Sequence, residues 1–379
     1  MKILYDHQAF EIQKIGGISR YFSEMLHLNS NAIRCNISIK RTENEYLKKA
    51  NYISKALLVK SRIIYKVIKS LNFIKGAWRI NENFIIPVLI KKVNKKYSLR
   101  ILKKGDFDIF HPTYYNPYFL HELNEKPFVI TVYDLIHEIF PKQFIDNTIE
   151  NKKLVINKAQ KIIAISNSTK NDLIDLYQIP EEKIEVVHLA SSVDVSKSTP
   201  IKGLPSRFIL YVGERGGYKN FEKFICAAEV LLKEDASLQI VCTGKPFLRN
   251  EKKFLKNYSI YHRVKNYFAT EEEMVYLYQK ALLFVFPSCY EGFGIPLLEA
   301  MTCGCPVVAS NTSSFPEVGG DAALYFNPYQ TEEITSQMRK VMYDNVLRNK
   351  LIKNGFEQVK NFSWDICREQ TLSVYERMC

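Results

Sequence analysis

Short apolar runs that close on a polar residue recur along this chain, each followed by sequence of helical periodicity. In the first half they are Lys2–Tyr5, Asp108–His111, Pro127–Asp134 and Lys161–Ser166; in the second, Phe208–Gly213, Leu238–Gly244 and Leu282–Pro287. Runs of this length, without strict alternation, predict strands buried on both faces. Strand and helix in repeated succession predict parallel sheets with crossover helices, whose ligands bind at the carboxyl ends of the strands. Ser191–Ser206, crowded with Ser, Thr, Pro and Gly, reads as a linker between two such units.

A length of 379 residues suits two domains, and 46% hydrophobic content is that of a globular chain. No apolar stretch approaches a membrane span, and Met1–Asp6 meets charge too soon for a secretory signal. The eight cysteines include no C-x-x-C pair and no His partners at zinc spacing, so Cys303 and Cys305 read as small buried thiols. Scattered free thiols fit a reducing cytoplasm.

The net charge of +13 is unevenly placed: residues 1–200 hold 31 Lys+Arg against 20 Asp+Glu, and residues 201–379 hold 22 against 20. Between residues 40 and 104, 18 basic residues face Glu43, Glu45 and Glu82. At roughly 100° per residue, Ile53, Leu57, Ile64, Ile68 and Leu71 share one face there, opposite Lys55, Arg62, Lys66 and Lys69. This pattern predicts an amphipathic helix over 53–71. It either packs on the first domain with a solvated basic face or lies on an anionic membrane.

The richest segment is Tyr290-Glu-Gly-Phe-Gly-Ile-Pro-Leu-Leu-Glu-Ala300. It follows a predicted strand, and Pro296 falls in what should be the first turn of a helix running to about Met301. A strand, a glycine loop and a helix together aim unpaired backbone N–H groups into a cleft, where they can hold an anion such as a pyrophosphate. Glu291 and Glu299 flank that loop. Carboxylates repel phosphate, so they are better suited to accepting hydrogen bonds from sugar hydroxyls. Arg215 and Lys219 sit in a second glycine loop, Val212-Gly-Glu-Arg-Gly-Gly-Tyr-Lys-Asn220. Two cations beside free amides suit a diphosphate and the charge that grows as it leaves. Gly16-Gly17 separates the first strand from the first helix, and His111 ends a predicted strand at the cleft.

Strand, Gly-Phe-Gly, Pro and second Glu, with Cys303-Gly-Cys-Pro-Val-Val-Ala-Ser310 and Asn311-Thr-Ser-Ser-Phe-Pro-Glu-Val-Gly-Gly320, resemble the E-x7-E signature of family 4 glycosyltransferases. The resemblance implies the GT-B architecture, an α/β fold of two Rossmann-like domains facing across a cleft. Residues 1–195 would bind the acceptor and residues 206–361 the nucleotide sugar, with residues 362–379 as a helix crossing back to the first domain. It also implies a retaining, metal-independent transferase with no cofactor beyond its donor substrate. Glu291 would then contact the donor sugar, Glu299 the ribose, and Arg215 with Lys219 the diphosphate. Gly17 and Gly292, Phe293, Gly294 and Ile295 would complete the donor site. His111 would stand near the reacting sugar. Where the family often has Thr-x-His-Asp, this chain has Thr131-Val-Tyr-Asp134. Tyr133, Asp134, His137 and Ser166 are therefore the candidates for sugar or acceptor contacts. The stretch Val264–Tyr267 resembles the loop whose backbone reads the nucleobase.

The opening Asp6-His-Gln-Ala-Phe10, Gly16–Tyr21 and Tyr133–Glu138 look like mannosyltransferase members of the family. The donor expected is thus GDP-mannose, with a UDP-sugar as the alternative. The expected acceptor is a lipid-linked glycan or oligosaccharide of a bacterial O-antigen or capsule. The expected location is cytoplasmic, peripheral on the inner face of the cell membrane. A nucleotide-sugar 2-epimerase shares the architecture but generally lacks the E-x7-E unit. Nucleic-acid binding is disfavoured, because the basic residues alternate with Ile and Leu at helical spacing and offer no stacking platform.

Overall fold

The computed structural model describes residues 1–30, 32–49 and 82–379. The predicted helix over 53–71 lies outside the described residues. In the first half, β1 (Lys2–Tyr5), β2 (Arg34–Ile37) and β3 (Ile109–His111) form a parallel sheet in the order β2-β1-β3. A parallel bridge between Phe110 and Phe128 joins it to a second parallel set, β4 (Val129–Val132), β5 (Lys161–Ala164) and β6 (Ile184–Val186). From Val187 to Arg207 the chain has neither helix nor strand.

The second half builds six parallel strands: β7 (Phe208–Tyr211), β8 (Gln239–Thr243), β9 (Val264–Tyr267), β10 (Leu283–Phe286), β11 (Val307–Ser310) and β12 (Ala323–Phe326). Their order is β12-β11-β10-β7-β8-β9. Every residue of β4, β7, β10 and β11 is buried, as the continuous apolar runs require of strands with helices on both faces.

The strand order reverses between β7 and β10 in the second sheet, and between β1 and β3 in the first. Such a reversal sends neighbouring loops to opposite faces and leaves a crevice at the carboxyl ends of the strands. The crevice in the first sheet is braced from within. Asp6, directly after β1, accepts from the Thr113 backbone N–H at 2.8 Å and the Thr113 hydroxyl at 2.6 Å, both just beyond β3.

The last helix, Trp364–Glu376, starts with the Ser363 side chain accepting from the Ile366 N–H and crosses back to the first sheet. Tyr375 places its hydroxyl 3.1 Å from that of Tyr5 and 2.7 Å from His111 Nδ1. Arg368 pairs with Glu24 at 3.0 Å and Arg377 with Glu185 at 3.1 Å. These contacts span almost the whole chain, so this helix ties the two halves together.

Candidate active site

β10 leads through Pro287 to Glu291, and Gly294 turns the chain with φ of +95° into the helix Ile295–Thr302. Gly292 has no room for a side chain. A Cβ there would lie 1.8 Å from the carbonyl oxygen of Tyr133, at the end of β4 in the first half. The Gly292 carbonyl accepts from the Ser166 hydroxyl at 2.7 Å and from the Thr169 hydroxyl at 3.4 Å. Two further serines shape the loop: Ser313 accepts from the Glu291 N–H at 3.0 Å, and Ser314 donates to the carbonyls of Glu291 and Phe293, both at 2.9 Å. Phe293 is buried edge-on against Phe362 and acts as a packing anchor.

Within this frame the Glu291 carboxylate accepts from Lys219 Nζ at 2.6 Å. Lys219 ends the turn Gly217–Lys219, and Asn220 fastens that turn by donating to the carbonyls of Pro287 and Pro328. Burial pulls the Lys219 ammonium down, but Glu291 and Tyr218 together outweigh it and raise its pKa. The switch point of the second sheet therefore carries a charged pair, one partner from the loop after β7 and the other from the loop after β10.

Glu299 lies one helical turn beyond the loop, in a cavity of about 640 Å³. The cavity is closed on the first-half side by Gly16, Gly17 and Arg20. Burial raises the Glu299 pKa, partly offset by a hydrogen bond from the Tyr278 hydroxyl at 3.0 Å. Gly17 packs directly on Ile295, since a Cβ there would come 3.4 Å from the Ile295 side chain.

Two expectations need correction. Arg215 does not join Lys219. Its guanidinium donates to Glu251 at 2.9 Å, to Asn266 at 3.2 Å and to the Lys245 carbonyl at 2.6 Å, and it stacks on Phe247. With its side chain buried and these bonds made, it holds the loops after β7 and β8 together, and it also lines the cavity beside the glycine loop. His111 does not face the cleft. It is wholly buried between Tyr375 and Thr131, bonded to both, and burial pushes its pKa down to about 3. A neutral histidine clamped on both ring nitrogens is a structural residue.

The remaining candidates divide. The Tyr133 ring is buried edge-on against Tyr21, so its backbone, not its side chain, reaches the Glu291 loop. Asp134 accepts from the Ile136 N–H at 3.0 Å just ahead of the short helix Ile136–Ile139, and its carbonyl accepts from the buried Lys152 ammonium at 2.9 Å. His137 stacks on Phe144 and pairs with Asp146 at 3.7 Å. Ser166 both caps the helix Asn167–Tyr177 and meets Gly292. Among the described residues no three His, Cys, Asp or Glu side chains are grouped as a metal ion would need.

Glu317 was not singled out in the sequence, although it sits in the Phe-Pro-Glu stretch of the signature. Its carboxylate crosses to the first half and accepts from the Asn167 N–H at 2.8 Å, the Ser168 N–H at 3.3 Å and His188 Nε2 at 2.6 Å. Burial alone would raise its pKa, yet these donors hold it below the usual range. An anion at a helix N-terminus also meets the positive end of the macrodipole.

Residues 196–358 match the family described as Glycosyl transferases group 1, and residues 87–194 match Glycosyltransferase Family 4. The chain is 29% identical to the O-antigen chain mannosyltransferase B of Escherichia coli over 311 residues, 76% of this chain and 78% of that protein. It is 30% identical to the serotype-specific mannosyltransferase WbdA of Escherichia coli over 56% of this chain, which is 28% of that longer protein. Among solved structures, Anabaena HepE in complex with UDP and glucose superposes with a TM-score of 0.73 over 100% of both chains, at 14% identity. Sucrose-phosphate synthase from Thermosynechococcus elongatus superposes with a TM-score of 0.71 at 16% identity, over 100% of this chain and 99% of that one. At these identities the structural likeness establishes the fold.

Removing the Glu317 carboxylate leaves two backbone N–H groups and His188 without their partner. Glu317→Ala should therefore cost about 1–3 kcal/mol, read as a lower urea midpoint. An unchanged midpoint would show that the carboxylate does not hold the two halves together.

Proposed function

Because the chain belongs to the group 1, family 4 glycosyltransferases of GT-B architecture, we propose that it is a retaining mannosyltransferase. It moves mannose from GDP-mannose to a lipid-linked or oligosaccharide acceptor in bacterial O-antigen or capsule synthesis. The mannosyl assignment rests on the names of its relatives, which include an O-antigen chain mannosyltransferase of Salmonella typhimurium at 29% identity. The observation that carries the donor site is the Lys219–Glu291 pair at the switch point.

The chemistry follows from that pair. When a diphosphate enters, Lys219 exchanges the carboxylate for phosphate oxygens. Glu291 is thereby freed to accept hydrogen bonds from the sugar hydroxyls, while Glu299 takes those of the ribose. The N–H groups that open the helix Ile295–Thr302 face the diphosphate. The acceptor hydroxyl attacks the anomeric carbon from the face the diphosphate leaves. A departing phosphate oxygen takes its proton, so no protein nucleophile is required. The protein contributes positioning and electrostatic stabilisation of the leaving group.

The acceptor brings the enzyme to a membrane. In the helix Glu82–Lys104, Asn94, Ser98 and Leu102 are buried, while Lys91, Lys92, Lys95, Lys96 and Arg100 are exposed. Val88 and Leu89 stand exposed toward the start of the helix. Each cation near an anionic surface contributes about 1 kcal/mol. No helix among the described residues is long and apolar enough to cross a bilayer, so the attachment proposed is peripheral.

Thermal unfolding with GDP, UDP, ADP and TDP at matched concentrations tests the donor reading. GDP at about 100 times its dissociation constant should add roughly 2.7 kcal/mol, and Lys219→Ala should abolish the shift. No shift with any nucleotide would refute the site. Mannose transfer should survive EDTA, because Lys219 supplies the charge a divalent ion would; activity lost to EDTA and restored by magnesium would contradict this. Vesicles containing phosphatidylserine should carry the protein upward on flotation at low salt and release it at high salt. Failure to float at low salt would count against the basic helix face.

A further inference from the structure

The helix Asn167–Tyr177 presents a polar stripe to the loop that carries Glu291. Ser166, Thr169 and Asp172 stand three residues apart, a spacing that puts them on one helical face. Ser166 and Thr169 donate to the Gly292 carbonyl, and Asp172 accepts from the Tyr290 hydroxyl. The Leu135 backbone N–H, just beyond β4, bonds the same hydroxyl. Burial raises the Asp172 pKa, and the bond from Tyr290 partly offsets it.

A second triplet, Thr312, Ser313 and Ser314, holds the same loop from within the second half. Thr312 donates to the Cys289 carbonyl at 2.9 Å, while Ser313 and Ser314 hold the N–H and the carbonyl of Glu291. The Cys289 N–H donates to the Tyr218 carbonyl at 2.7 Å. Between these clamps two consecutive side chains reach different halves of the chain: Tyr290 goes to Asp172 in the first, and Glu291 to Lys219 in the second. With the phenol anchored, the backbone cannot turn about Glu291 without breaking that bond. Tyr290 is buried, so breaking it strands a polar group.

We infer that Asp172 is a positioning residue for the donor sugar: acting through the Tyr290 hydroxyl, it fixes the direction in which Glu291 offers its carboxylate. The inference deepens the donor reading above and rests on it. Asp172 acts at one remove. It bears on the sugar hydroxyls that Glu291 accepts from, and not on the diphosphate at Lys219 or the ribose at Glu299. Alignment of this kind matters steeply, since a misplacement of about 1 Å can cost on the order of 100-fold in rate.

Titration calorimetry of the full chain with two matched pairs, GDP-mannose with GDP and UDP-glucose with UDP, tests this. For the pair that binds the wild-type chain, Asp172→Ala should weaken the sugar nucleotide about tenfold, the loss of one hydrogen bond to a charged group, while the bare nucleotide stays within about twofold. Tyr290→Phe should do the same. The double variant should lose no more than either single one, because both remove one shared interaction. Asp172→Asn keeps an oxygen that can accept from the phenol and should recover most of the affinity. Equal losses for sugar nucleotide and bare nucleotide overturn the inference, by reporting a general distortion of the cleft. Additive losses in the double variant overturn it too. Wild-type affinity for the sugar nucleotide in Asp172→Ala also overturns it and leaves the donor site standing. If the wild-type chain binds none of the four compounds, the donor reading fails and the inference fails with it.

Discussion

Among the described glycines, none leaves less room for a side chain than Gly292, where an added Cβ would lie 1.8 Å from the Tyr133 carbonyl oxygen. The loop that carries Glu291 is pressed onto the first half, and Ser166 and Thr169 hold it there through the Gly292 carbonyl. Glu317 adds a second tie at the N-terminus of the next first-half helix. A larger residue at 292 would have to push the two halves apart, because the clashing atom belongs to backbone and cannot rotate away. The glycine in Glu-Gly-Phe-Gly thus serves the closure of the cleft as well as the turn into the helix.

The strands and the glycine loops were legible because their signals are local. An all-buried strand needs only its own run of apolar residues, and a loop that opens a helix needs only Gly and Pro in order. The direction of a long side chain is set elsewhere. Arg215 reads as half of a cationic pair with Lys219, yet it is claimed by Glu251 and Asn266, far along the chain. His111 reads as a cleft residue until Tyr375, from the last helix, takes its Nδ1. Glu317 was missed for the same reason: its partners, Asn167, Ser168 and His188, lie in the other half of the chain. No spacing rule links them.

Tyr133 shows a milder form of the same limit. Where family members often carry histidine, the sequence poses a question about side chains, and the fold answers it with backbone. The ring turns into a cluster with Tyr21 and Tyr115, while the carbonyl faces the loop. The peptide group is common to every residue type, so this contact leaves no trace in composition. Lys152 is part of the same construction. It is wholly buried, paired with Glu138 at 2.9 Å, and donates to the carbonyl of Asp134, so a costly internal charge is spent on fixing this turn.

The Lys219–Glu291 pair resolves an apparent conflict in the sequence. A carboxylate beside a phosphate site should repel its ligand, and a largely buried ammonium should be reluctant to stay charged. Each defect cancels the other while the site is empty. The pair holds both side chains in place, so the charge that the proposed donor complex offers to the diphosphate is already desolvated and aimed. Under the donor reading proposed above, binding exchanges one anion for another around Lys219 instead of stripping water from a free cation, and it releases Glu291 toward neutral hydroxyls. Without Glu291 the ammonium would face burial alone, and without Lys219 the carboxylate would face the phosphate alone. The two loops on either side of the strand reversal therefore form a single functional unit.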